Sequence, residues 1–257
     1  MSTSFLKSFL GGAVLLTAPA ALADSTTTIP AFDAKIATAR GSSSPGGTTI
    51  NRAEMTDAVN TFLYDDGIVD AAERAYLGTK VSNTTFLTGV TATAKKYLTD
   101  FHELNDGATV AAPLYLSWLQ GTPAELYGAS GSLANVSEIV EGYVPNGQGV
   151  ANQLTLTTGA YETFRVESVN NFQPITVREL VAQLSARMEN GTASADEVDG
   201  AVALITQISR NSNRLYLGTW FCSTCGGGPG DMGGYIVAAV STDRRFVRMV
   251  KVRNWVE

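Results

Sequence analysis

Two cysteines, one histidine and a glycine-rich stretch are the residues of this 257-residue chain whose types and spacing could do chemistry. Cys222 and Cys225 enclose Ser223 and Thr224, a spacing shared by redox-active dithiols, disulfides across a tight turn and half of a zinc site. A redox pair needs a helix start to depress the first thiol's pKa. Here Gly226, Gly227, Gly228, Pro229 and Gly230 follow, a run that cannot open a stable helix. A closed zinc centre needs two further ligands, and the chain offers no other Cys and a single His. Haem attachment is excluded because position 226 is Gly. The leading expectation is a structural disulfide between Cys222 and Cys225, with a redox pair, free thiols or a bound metal as the alternatives.

Gly228, Gly230 and Gly233 match the spacing of a dinucleotide-binding loop. That loop must run straight into a helix whose N-terminus holds the pyrophosphate, whereas residues 235–240 read as a strand. No nucleotide cofactor, and no other cofactor, is expected. A glycine-rich hairpin loop fixed at its base by the cysteines is the expected structure. It offers Gly228, Gly230, Asp231 and Met232 as candidate binding residues, since loops on a rigid support often carry recognition.

Any mechanism that needs an imidazole must use His102, which projects away from the centre of the apolar stripe of its helix and reads as a boundary residue. Neither a Gly-x-Ser-x-Gly elbow nor a His-Glu-x-x-His helix is present. A glycosidase would need two facing carboxylates, for which Glu138, Glu141 and Asp231 are available.

The stretch from Asp66 and Gly67 through Asp70 to Glu73 resembles the second half of an EF-hand calcium loop. The first half would put Phe62 and Tyr64 where carboxylates belong, and a second copy downstream would put Ala186 and Met188 there. No metal site is expected. The same residues are accounted for by helix starts: Asp70 and Ser194 as caps, with Glu73 and Glu197 reaching back to them.

Those caps belong to a helical first half. Asn51 and Glu54 form a capping box, Ile50 and Met55 a hydrophobic staple, and Met55, Val59, Phe62 and Leu63 one apolar stripe. Ile175, Thr176 and Glu179 repeat this start, and Asn190 and Gly191 repeat the turn at Asp66 and Gly67. The parallel suggests a duplicated helix-turn-helix unit, with chance recurrence of common helix-start grammar as the alternative. Residues 83–104 read as one long amphipathic helix, and Thr122, Pro123 and Glu125 as a further start. Residues 132–141 read as another helix. Residues 150–168 turn to Thr, Val and aromatics, which favours strands, and 215–222, 235–241 and 246–252 read as the clearest strands.

Lys7, the apolar run 9–16 and Ala21, Leu22 and Ala23 form the pattern of an export signal over residues 1–23, with Asp24 as the first mature residue. Its removal would take away one Lys and no acid, moving the net charge from −6 to −7. An acidic chain without a basic cluster is a poor ligand for nucleic acid, and no later segment is apolar over the roughly 20 residues a bilayer span requires. Residues 24–49, rich in Ser, Thr and Gly, read as a flexible arm. Residues 50–257 then form an α+β domain, either single or split into a helical part (50–145) and an α+β part (146–257). The fold expected is N-terminal and central helices with a small antiparallel sheet that includes the C-terminal strands. The function expected is that of an exported, extracytoplasmic, non-enzymatic protein that binds another protein or a small molecule. A hydrolase using paired carboxylates and a structural or assembly component are the alternatives.

Overall fold

The computed structural model describes residues 25–64, 66–107, 110–128, 133, 137–185, 194–225 and 230–256. The export segment, the turn at Asn190 and Gly191, Ala186, Met188 and Gly228 lie outside the described residues.

The first half is a cluster of helices. Helix α1 (Ser25–Ala39) is followed by α2 (Arg52–Val59), which tightens into a 3-10 turn over Asn60–Leu63. Helices α3 (Ala71–Ser82), α4 (Thr84–Leu87) and α5 (Ala92–Asn105) complete it. Both expected capping boxes form: the Glu54 amide donates to Asn51 and the Glu73 amide to Asp70, and each glutamate carboxylate accepts from its cap's amide in return.

The flexible-arm expectation for residues 24–49 is corrected, since 25–39 are helical and pack into the core. Ile29, Phe32, Ile36 and Ala39 recur at helical spacing, and Phe32 is fully buried with its ring stacked 5.2 Å from that of Phe62. The Ser and Thr content masked that stripe. Thr28 also donates to the buried Glu73 carboxylate, tying α1 to α3.

The single helix expected over 83–104 is broken. Gly89 takes φ +71°, a left-handed conformation suited to glycine, and the Ile50 backbone brackets the break. The Ile50 amide donates to Gly89 O at 2.8 Å, while the Thr91 amide donates to Ile50 O at 3.0 Å. Thr91 then caps α5.

The second half is built on one antiparallel sheet. Its strands are β1 (Tyr115–Trp118), β2 (Ser137–Tyr143), β3 (Ser168–Val169), β4 (Gln173–Pro174), β5 (Arg214–Cys222), β6 (Met232–Val240) and β7 (Phe246–Val256). The order is β1-β2-β7-β6-β5-β3, with β4 also paired to β5. Helices α6 (Pro123–Tyr127), α7 (Gln153–Phe164), α8 (Val177–Ser185) and α9 (Ala195–Ile208) interleave with these strands. The chain is α+β, as its pattern indicates. Among the described residues no helix is long and apolar enough to cross a membrane.

Two expectations are exchanged. The helix expected over 132–141 is not formed at its C-terminal end, where residues 137–143 form strand β2. Ile139 and Val140 are both buried because helices cover both sheet faces, so this strand lacks the alternation that marks a half-exposed one. Residues 153–164, expected as strands, form α7: Asn152 accepts from the Thr155 amide as its cap, and Leu156, Ala160 and Phe164 line up at four-residue spacing against the sheet.

The sheet is therefore a middle layer. Val140, Tyr216, Ile236, Ala238 and Met249 pack toward α7, and Ile139, Leu215, Val237, Ala239 and Val250 pack with buried residues of α8 and α9. α8 and α9 pack directly on each other, whereas α2 and α3 each lean on α5, so the two helix pairs are embedded differently.

Candidate functional site

The helical cluster meets the sheet along a seam that side chains cross repeatedly. Arg52, the first residue of α2, makes two hydrogen bonds to Glu179 of α8, at 3.1 and 2.8 Å, and a third to Pro174 O at 3.2 Å. Burial alone would raise the Glu179 pKa, but the Arg52 guanidinium and the Thr176 amide hold it down to about 2. The same guanidinium lies 4.6 Å from the centre of the Tyr97 ring, whose hydroxyl burial pushes up to about 12. Farther along, Arg214 pairs with Glu103 at 2.5 and 2.8 Å, and Arg244 pairs with Asp106 at 2.6 and 2.9 Å. Asn171 donates to Gly67 O across the gap.

Between these ties the seam opens into three adjoining clefts. One, of about 390 Å³, lies around Arg52, Tyr97, Gln173 and Glu179. It shares Asn171 with a second cleft of about 430 Å³, walled by Gly67, Val69, Leu104, Asn152, Gln153 and Thr157. That one shares Gly107 and Asn152 with a third of about 580 Å³, beside Asp106, Gln148 and Arg244. Gly107 is needed where the last two meet, because a Cβ there would collide with the Asn152 amide.

The middle cleft is distinguished by its polar groups. Both amide atoms of Gln153 and the hydroxyl of Thr157 are shut off from bulk water without a hydrogen-bond partner among the described residues. Their neighbours are spent: Asn152 accepts from Thr155 N at 3.0 Å, and the Thr155 hydroxyl accepts from Ala112 N at 3.0 Å. A buried polar group left unpaired costs about 1–3 kcal/mol. In natural interiors such groups are ordinarily met by a partner, an ordered water included. Ile68 and Leu154, which also line this cleft, are exposed by 62% and 38% and give it an apolar rim.

Among the described residues no carboxylate lines the middle cleft. The charged side chain among its described lining residues, Arg74, already donates to Val69 O at 2.6 Å. Among the described residues the two flanking clefts hold one acid each, Glu179 and Asp106, each closed in an ion pair.

The residues singled out from sequence are dispersed. Cys222 and Cys225 form the disulfide, with Cα atoms 5.7 Å apart. The turn between them is held from outside by Glu167, which accepts from Ser223 at 2.7 and 2.9 Å and from Thr224 at 2.9 Å; these hydroxyls lower its pKa. Of the loop residues, Gly228 lies outside the described residues, and Gly230 and Asp231 are half-buried. Met232 opens β6, pairs with Cys222 and packs, half-buried, against the core.

Glu138 and Glu141 do not face each other. They stand three residues apart on β2 and so project to opposite sides of the sheet, Glu138 to Lys251 and Glu141 to Arg248, each at 2.7 Å. His102 sits half-buried at the end of α5, where a Cβ on Gly78 would lie 3.3 Å from its Nε2, and burial lowers its pKa. At the calcium-like half-loop, Asp66 accepts from Ile68 N, and Asp70 and Glu73 are used in their capping box. Among the described residues no three His, Cys, Asp or Glu side chains gather as a ligand set for a metal.

Gln153, Asn152 and Thr157 were missed from sequence because their segment reads as strand. The signal that could have found them is Asn152 standing three residues before Thr155, a helix start of the same kind as Asn51 and Glu54. Comparison of the chain with protein-family models, with curated proteins and with solved structures gave no significant match.

Proposed function

We propose that this protein works by binding a small polar ligand in the middle cleft of the seam, in an oxidising compartment outside the cytosol. The observation that carries the reading is the middle cleft itself, which has an apolar rim, takes the Gln153 and Thr157 residues into its lining and holds no carboxylate among the described residues. Ligand sites combine apolar walls with a few placed polar groups, and a volume of about 430 Å³ falls within the usual range of about 300–1,000 Å³. Against hydrolysis stands the separation of Glu138 from Glu141 and the absence of His102 from the lining of the three seam clefts. The location is supported by the Cys222–Cys225 disulfide, because such bonds persist where thiols are not kept reduced.

A thermal-shift screen of neutral polar compounds tests the proposal. At least one compound should raise the melting temperature of the wild-type protein and leave that of Gln153→Leu unchanged. Turnover of an ester or glycoside that survives in Gln153→Leu would contradict it, as would a screen in which nothing binds.

A further inference from the structure

A row of four polar side chains crosses the sheet from β3 to β7. Asn170, which follows β3, donates to the Thr219 hydroxyl of β5 at 2.7 Å. Thr219 stands opposite Tyr235 of β6, and Asn254 of β7 donates to the Tyr235 hydroxyl at 3.2 Å. A β-bulge delivers Asn254 to this place: Gly233 pairs with Trp255 and Gly234 with Arg253, so Asn254 is the extra residue of β7. Bulges re-aim a side chain in this way and are over-represented beside active sites. The bulge requires glycine on the partner strand, because a Cβ on Gly234 would collide with Val252 O.

The row lines a cleft of about 340 Å³ together with Phe221 and Gly234. Asn170 and Thr219 are exposed, and Tyr235 and Asn254 are half-buried, so a solute in the cleft meets the whole row. Each amide–hydroxyl pair uses one amide N–H and one hydroxyl lone pair. It leaves the hydroxyl proton to donate and the amide oxygen to accept. The two pairs sit on neighbouring strands, which are about 4.7–4.9 Å apart, and so repeat the same donor and acceptor across the cleft. Phe221, two residues along β5 from Thr219, projects to the same face, and Gly233 opposite it adds no side chain. Its ring and that of Tyr235 supply apolar surface beside the row. None of the described lining residues is charged.

A complement to this surface must be uncharged, must carry neighbouring groups that each donate and accept, and must offer an apolar face to the rings. Neutral saccharides combine all three. A sugar hydroxyl accepts the proton of Thr219 or Tyr235 and donates its own to the oxygen of Asn170 or Asn254, while the C–H face of the sugar ring covers aromatic surface. We infer that this cleft binds a neutral saccharide through the row of Asn170, Thr219, Tyr235 and Asn254. It is a second site, which shares no lining residue with the middle cleft and stands whether or not that cleft binds a ligand.

Calorimetric titration with maltotriose, cellotriose and an N-acetylglucosamine trimer tests it, with trigalacturonate as the charged counterpart. At least one neutral trimer should bind, and more tightly than trigalacturonate. Thr219→Val, which keeps a β-branched side chain on the strand, and Asn254→Ala should each weaken that trimer about tenfold. Asn170→Ala, outside the strands, gives the same reading should either of those variants fail to fold. Gln153→Leu should leave the affinity unchanged, which separates this cleft from the middle one. The inference is overturned if no neutral trimer binds, if trigalacturonate binds best, or if the folded variants of the row bind as the wild type does. Loss of binding in Gln153→Leu alone would also overturn it, by placing the saccharide in the middle cleft.

Discussion

Arg52 and Glu179 are 127 positions apart in sequence, yet their side chains make two hydrogen bonds across the seam, each from the first turn of a capped helix. Glu179 serves two purposes at once: it closes the capping box on Thr176 at 2.8 Å and holds the helical cluster against the sheet. Its carboxyl has an ordinary value of 4.5 and is held at about 2 in the folded chain. A depressed carboxylate contributes stability that is complete above 4.5 and disappears as pH falls from there through about 2. Half of the side chain is exposed, so solvent screening limits the contribution to about 1 kcal/mol. Glu179→Gln should lower stability by about that amount at pH 7 and flatten the loss between pH 4.5 and pH 2, as measured by urea unfolding at each pH. An unchanged pH profile would show that the pair does not tie the halves.

His102 is the sole histidine, so its two carbon-bound ring protons give the histidine signals of a proton NMR spectrum without overlap from another residue of its type. Burial against α3 disfavours the imidazolium, and its midpoint should fall below 6.5. Because the unfolded chain then binds a proton that the folded one refuses, this residue should subtract stability as pH drops below 6.5. A midpoint above 6.5 would mean the neighbouring acids Glu103 and Asp106 dominate instead.

Phe32→Ala tests the placement of α1. Removing a fully buried ring stacked on Phe62 should cost about 3–5 kcal/mol, whereas the same change in a flexible arm would cost nothing measurable by denaturant unfolding.

The helix starts were legible because a capping box is a local device: Asn51 with Glu54, Asp70 with Glu73, Thr122 with Glu125, Thr176 with Glu179 and Ser194 with Glu197 all form as their spacing indicates. The strands β5, β6 and β7 were legible for a similar reason, through dense Val, Ile and aromatic content. What the residues hid was decided at a distance. Ile139 and Val140 are strand residues only because β1 and β7 flank them, and Leu156, Ala160 and Phe164 are helical because a sheet receives that face. The site was hidden too, since an unpartnered amide such as that of Gln153 is visible only once every neighbour's partners are known.

Cys222 and Cys225 close a loop so short that chain-entropy reasoning gives the disulfide about 2 kcal/mol. The double variant Cys222→Ser, Cys225→Ser should lose about that much in urea unfolding while keeping the fold, since the sheet is paired independently of the turn. Loss of the folded far-ultraviolet spectrum would show that the turn is needed for folding itself.

Gln153→Leu should raise stability in the absence of ligand by about 1 kcal/mol, because it removes two buried, unpaired atoms and adds none. A site kept for binding carries this cost; a merely structural glutamine would destabilise the fold when replaced.

The side-chain amide of Gln153 also gives the most direct measurement. In a two-dimensional nitrogen–proton NMR titration with a compound that raises the melting temperature in the thermal-shift screen, its two NH2 protons should shift, together with the backbone amides of Ile68, Val69, Leu154 and Thr157. Shifts confined to Gly230, Asp231 and Met232, or none at all, would contradict a binding site in the seam.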